Sequence, residues 1–157
     1  GRIAEDFKLA TGTFVSVGPL RARIIATCAP YVHDAVITGL NQHEVGALLL
    51  ATPRVRELCP LPAHAPWPDV LQHPAVLAHF QDCLNQLAKQ ATGSANRVAR
   101  WLLLTEPPSI DRGEITDKGS INQRAVLKHR EAVVQSLHDG SASGIQRPQP
   151  SATQEDP

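Results

Sequence analysis

Lysine is scarce in this chain, and one of the few lysines stands where an anion is easiest to reach. Lys8, Lys89, Lys118 and Lys128 are outnumbered by eleven arginines. Lys118 lies in Gly113-Glu114-Ile115-Thr116-Asp117-Lys118-Gly119-Ser120, a polar loop just ahead of a helical pattern. A lysine on such a loop is a compact point charge on a flexible stem, suited to phosphate or carboxylate oxygens. A solvated surface lysine is the plainer reading of the same residues. The second group is at the other end: Gly1-Arg2-Ile3-Ala4-Glu5-Asp6-Phe7-Lys8, dense in charge, then Thr11-Gly12-Thr13-Phe14 with a glycine turn. An ordinary surface hairpin accounts for it equally well.

Other chemistries find little here. There is no glycine-rich phosphate cradle, no nucleophile elbow and no His-Glu-x-x-His. His73 and His79 are six apart, which puts them on different faces of a helix. His33-Asp34 and His43-Glu44 are adjacent pairs, expected to point apart in any regular structure. No metal site is expected. Cys28, Cys59 and Cys83 are odd in number and widely spaced, so neither a disulfide framework nor a zinc site follows from them.

The elements that must position the two groups alternate irregularly. Residues 1–17 read as two short strands about the Thr11-Gly12-Thr13 bend. A helix follows from Pro19 and Leu20, with Leu20, Ile24, Ile25 and Cys28 on its stripe, and Ala29-Pro30 ends it. Asp34–Gly39 and Val45–Thr52 read as neighbouring strands, the second apolar on both faces and so central. A helical turn at Arg54–Leu58 opens a proline-rich loop that runs to Pro68. His73–Gln90 is the clearest amphipathic helix, Val98–Thr105 a further strand, and about Asn122–His138 the last helix. Residues 141–157 are rich in Ser, Gln and Pro, and disorder is expected there. The sum is an α+β fold: a hairpin, a sheet of about three strands, and flanking helices.

Composition bounds the function. The chain has 157 residues, with 15 basic and 15 acidic side chains balancing to zero net charge. One domain is the expectation, and the neutral balance removes the electrostatic footprint of a nucleic-acid binder. The longest apolar run, around Val45–Ala51, is far short of the ~20 residues a membrane span needs. The opening residues carry no signal-peptide core, and a reduced, cytoplasmic setting is expected. The chain begins with Gly and contains no Met, from which a piece of a longer polypeptide is expected.

Together the two groups resemble the two ends of one module. Gly1-Arg2 with Glu5, Lys8, the Gly12 turn and the strand after it are similar to the hinge of the adenylate-forming enzymes. Those include acyl-CoA synthetases, luciferases and peptide-synthetase adenylation domains. Their small C-terminal domain begins at the hinge and ends in a Thr-x-x-Gly-Lys-Ile-x-Arg loop, which Thr116–Arg124 resembles. Tyr31–Gly39 is similar to a strand of that domain, and Gly46 falls where the family opens the next one. Phe7–Val17, Leu104–Asp111 and Gly113–Arg124 look like bacterial feruloyl-CoA synthases in particular.

The resemblance implies a small C-terminal lid domain over residues 18–140, joined through the hinge and hairpin of 1–17 to an N-terminal domain outside this sequence. It implies ATP (as Mg-ATP) and coenzyme A as substrates, held mainly by that N-terminal domain. A hydroxycinnamate would attack ATP to give an acyl-adenylate and pyrophosphate; the lid would then rotate, and the coenzyme A thiol would displace AMP. Lys118 is the implied catalytic residue, although counting from Thr116 the usual lysine position holds Ser120. Arg2, Ala4 and Glu5 are the implied hinge, with Ala4 where the family usually carries Asp or Lys. Gly12, Thr13 and Phe14 are the implied coenzyme A contacts. The partners implied are the N-terminal domain and the small acid, with no nucleic acid and no membrane. A free-standing, non-catalytic interaction module is the alternative, as is a ligase for another aryl or fatty acid. The fragment alone is expected to be inactive.

Overall fold

The computed structural model describes residues 6–40, 42–62, 64–91, 93, 97–105, 108–116, 118–119 and 121–139. The hinge positions Arg2, Ala4 and Glu5, and the tail at 141–157, lie outside the described residues. Strands β1 (Phe7–Lys8) and β2 (Phe14–Val15) pair antiparallel as the expected hairpin. Gly12 takes φ +89° at its turn, a conformation that any side chain would strain. Helix α1 (Val17–Thr27) then leads to β3 (Val32–Thr38), β4 (Val45–Ala51) and, after a 3-10 turn at Pro53–Leu58, to α2 (Trp67–Gln72) and α3 (Pro74–Gln90). Strand β5 (Val98–Leu103) completes the sheet, and α4 (Gln123–His129) and α5 (Glu131–Asp139) close the described chain.

The sheet order is β3-β4-β5, with β3 antiparallel and β5 parallel to the central β4. Central placement explains why β4 is apolar throughout. Alternation divides its side chains between two layers: Ala47 and Leu49 join α1, α2 and α3 on one face, while Leu48 and Leu50 join α4 and α5 on the other. In the first layer Phe80 and Trp101 pack with ring centroids 6.2 Å apart, and α3 buries Val76, Phe80, Cys83, Leu84 and Leu87. This is the expected α+β architecture, with helices on both faces of the sheet.

Several boundaries differ from expectation. Helix α1 starts two residues ahead of Pro19, because Asp6 Oδ1 accepts the Val17 amide at 2.9 Å and caps the helix from eleven residues away. Helix α2 begins within the end of the expected proline-rich loop and runs past it: Pro68 is tolerated in a helix's first turn, where no amide partner is needed. His73 then separates α2 from α3, its Nδ1 accepting the Ala75 amide at 3.1 Å. The last helix is broken at Arg130, whose backbone leaves helical geometry at φ −114°, ψ 33°.

Candidate functional site

The loop bearing Lys118 is held from both sides. Ile115 and Ile121 form a β-bridge, and the Asn122 amide donates to the Glu114 carbonyl at 2.9 Å. The Gly119 amide donates to the Thr116 carbonyl at 2.9 Å and closes a tight turn with Lys118 at its third position. Gly113 and Gly119 take φ +73° and +85°, which lets the chain reverse at both places. Lys118 is exposed at the tip.

Two buried carboxylates fix this loop to the domain. Glu114, 1% exposed, accepts the Ser109 amide at 2.9 Å, Arg130 Nε at 3.0 Å and Arg130 Nη2 at 3.1 Å. The Arg130 guanidinium, followed by the Ser109 amide, holds the Glu114 carboxyl below its usual range against the opposing cost of burial. Asp34, 4% exposed, receives Arg21 Nη2 at 2.8 Å on each oxygen and the Ile121 amide at 3.0 Å. Arg130 occupies the break between α4 and α5, so the loop is referenced to the helical layer. Asp34 references it to the sheet.

The pair His33-Asp34 corrects the expectation that its members point apart. The β3–β4 register shifts between Val32 and Asp34, a bulge that places His33 outside the regular alternation. Both residues then meet the same loop: His33 Nε2 lies 3.1 Å from the Gly119 carbonyl oxygen, while Asp34 takes the Ile121 amide. Gln123 seals the edge of β3 beyond them, its Oε1 accepting the Ile37 amide at 2.9 Å. Among the described residues no group of three His, Cys, Asp or Glu is arranged to hold a metal ion.

Gly12, Thr13 and Phe14 lie elsewhere. The hairpin is tied to the far end of β3, where the Ala10 amide donates to the Gln42 carbonyl at 2.8 Å and Gly39 abuts Phe7 and Leu9. The Lys118 loop is anchored at His33 and Asp34, so the two anchor points stand about 20 Å apart at the rise of an extended strand. The structure therefore keeps the lysine and the glycine turn apart. Nothing within 4 Å opposes a Cβ on Gly12 from inside the chain. Phe14 is 52% exposed beside it.

Sequence reasoning passed over Arg21, Asp34, Glu114 and Arg130 as functional residues. One signal was available, for Asp34: an acid directly ahead of the apolar run Ala35-Val36-Ile37 stands where burial demands a partner, whereas Glu114, in a polar loop, carried none.

A family model described as the AMP-binding enzyme C-terminal domain matches residues 6–142. No curated protein matches the chain. Among solved structures, the adenylation domain of a carboxylate reductase from Mycobacterium chelonae is similar at 25% identity and TM-score 0.65, over 88% of this chain and 20% of that one. The carboxylic acid reductase A domain from Segniliparus rugosus, solved with AMP and a co-purified carboxylic acid, is 22% identical at TM-score 0.65, over 90% of this chain and 21% of that one. The A-PCP didomain of the same organism's reductase, with AMP, gives 22% and 0.63, over 87% and 17%. The chain thus spans about a fifth of the solved chains it matches. Among the described residues no helix is long and apolar enough to cross a membrane.

Proposed function

Because the chain belongs to the AMP-binding enzyme C-terminal domain family, we propose that it is the mobile lid of an ATP-dependent acid–CoA ligase of the feruloyl-CoA synthase type. It would work against a larger domain that holds ATP and the acid. In this reading residues 1–17 are hinge and hairpin, with Arg2, Ala4 and Glu5 at the swivel, and residues 18–140 are the lid.

In the first half-reaction a hydroxycinnamate carboxylate oxygen attacks the α-phosphorus of ATP, and the bond to pyrophosphate breaks. Lys118 is the group proposed to meet the charge that develops on the phosphate and carboxylate oxygens. In the second, the coenzyme A sulfur attacks the acyl carbon, its proton leaves, and AMP departs with the bonding electrons. Here the Gly12 turn would line the path of the thiol arm, with Thr13 beside it and Phe14 as an apolar wall.

The separation of these two groups along β3 carries the reading. The two groups are anchored at opposite ends of one strand, an arrangement suited to a lid whose rotation presents them in turn. The Asp6 cap on α1 ties the hairpin's start to the domain, which suits a swivel placed ahead of residue 6.

Similarity to the A-PCP didomain favours a second reading, in which the acyl group passes to a PCP module rather than to free coenzyme A. One experiment separates them. The full-length polypeptide carrying this domain is given ATP and ferulate, coumarate, caffeate or fatty acids, with either coenzyme A or a pantetheine-loaded carrier as acceptor. Coenzyme A thioesters of the hydroxycinnamates are expected. Thioester on the carrier alone would overturn the ligase reading, and turnover of fatty acids alone would overturn the substrate class. The isolated domain is expected to show no acid-dependent ATP–pyrophosphate exchange.

A further inference from the structure

We infer that Glu114 is a positioning residue for adenylation, acting on Lys118 by clasping Arg130 and so fixing the turn that carries the ammonium. The inference rests on the adenylation role proposed for Lys118.

The loop has every reason to be loose. Gly113 and Gly119 both sit at positive φ, and a lysine stem adds four rotatable bonds. Yet one face of the loop is fixed with unusual completeness. The Glu114 carboxylate is almost wholly buried and takes three hydrogen bonds, one from its own loop at Ser109 and two from Arg130 sixteen residues on. The main chain of Glu114 is committed as well: its amide donates to Ser109 and its carbonyl accepts from Asn122. Glu114 is thus the point where the incoming strand of the loop, the outgoing strand and the helical layer meet.

Stability alone does not account for such a pair. Desolvating two charges roughly cancels their attraction, and an apolar pair of similar volume would serve as well or better. What an ion pair with forked geometry adds is direction: the planar guanidinium admits one orientation of the carboxylate. That orientation is set by Arg130 at the break between α4 and α5, and it fixes the register of Ile115 against Ile121 and hence the place of the turn at 116–119. Displacing a stabilising charge by about 1 Å costs on the order of 10²-fold in rate.

The test is a double-mutant cycle in the full-length enzyme, with Glu114→Gln, Lys118→Ala and the pair. Glu114→Gln keeps the shape and the oxygen facing Ser109 but removes the charge that orients Arg130. Acid-dependent pyrophosphate exchange is expected to fall about 10²-fold, with thioester formation from preformed adenylate unchanged. In the Lys118→Ala background the same substitution is expected to cost nothing further. Arg130→Lys, which keeps the charge and loses the fork, is expected to repeat the pattern and serves if Glu114→Gln unfolds below the assay temperature. An equal loss with and without Lys118, or an equal loss in both half-reactions, would make the clasp merely structural and overturn the inference. If Lys118→Ala slows exchange while both clasp variants leave it intact, only the positioning role falls. If Lys118→Ala itself leaves exchange intact, the role of Lys118 falls and this inference falls with it.

Discussion

At the scale of single residues, Asp34 bears the heaviest structural duty. Its carboxylate is taken out of water at the start of β3 and answered by Arg21, the Ile121 amide and the Ala35 amide. Removing one member of a buried pair leaves the other charge uncompensated, at a cost of about 3–5 kcal/mol. Asp34→Ala is therefore expected to lower the free energy of unfolding by that amount in urea titration, and Asp34→Asn by less because the amide acceptor survives. A loss within the error of the titration would show that water replaces the carboxylate freely. Lys118, exposed at its turn, is expected to be neutral in the same titration, so that effects of Lys118→Ala on rate are free of folding.

At the scale of elements, what the sequence made legible followed hydrophobic period and punctuation. The unbroken apolar run of Val45–Thr52, the stripe on Val76–Leu87 and the bend at Gly12 were each visible because packing or backbone conformation dictates them locally. The bulge at His33 was not visible, since it arises from pairing with β4 and leaves no compositional mark. Nor was the break at Arg130, where neither Gly nor Pro announces it and the partner is Glu114, sixteen residues back. Helix α2 was obscured by Pro68 inside it and by Pro66 and Pro74 on either side. The candidate lysine could be named from the loop, but the clasp that steadies it depends on tertiary contacts that spacing does not encode.

Close packing at Gly46 gives an element-scale prediction. A Cβ there would stand 2.5 Å from Thr38 Oγ1 and 3.0 Å from Leu137 Cδ2, between the sheet and α5. Thr38 Oγ1 is already engaged with His138 Nε2 at 2.6 Å. Gly46→Ala is expected to push α5 off the sheet at a cost of about 1–3 kcal/mol, seen as faster amide exchange across residues 131–139. Unchanged exchange there would mean that α5 is not seated through this contact.

At the scale of the whole molecule, acid should loosen the fold from the α5 side first. Burial, and then the charge of Arg100, lower His138 from its ordinary 6.5 to about 4. Between those values the unfolded chain binds a proton that the folded one refuses, so stability falls as pH falls through this window. His138 is partly exposed, which keeps the loss on the order of 1 kcal/mol. Glu114, held below the usual carboxylate range by Arg130, adds a further loss as pH falls below the ordinary carboxylate value and through its own lowered one. Urea midpoints from pH 7 to 4 are expected to fall steadily, and His138→Asn to flatten the slope above pH 4.5; a slope identical to that of the parent would assign the effect elsewhere.

The fold anchors the Lys118 turn and the Gly12 hairpin at opposite ends of β3, and the proposed catalytic cycle depends on showing them alternately. The most direct measurement takes the full-length enzyme with Lys118→Ala and follows the two half-reactions separately: acid-dependent ATP–pyrophosphate exchange, and thioester formation from preformed acyl-adenylate. Exchange is predicted to fall about 10²–10³-fold while thioester formation proceeds at the parent rate. Exchange at the parent rate, or an equal fall in both steps, would contradict the assignment of adenylation to this turn.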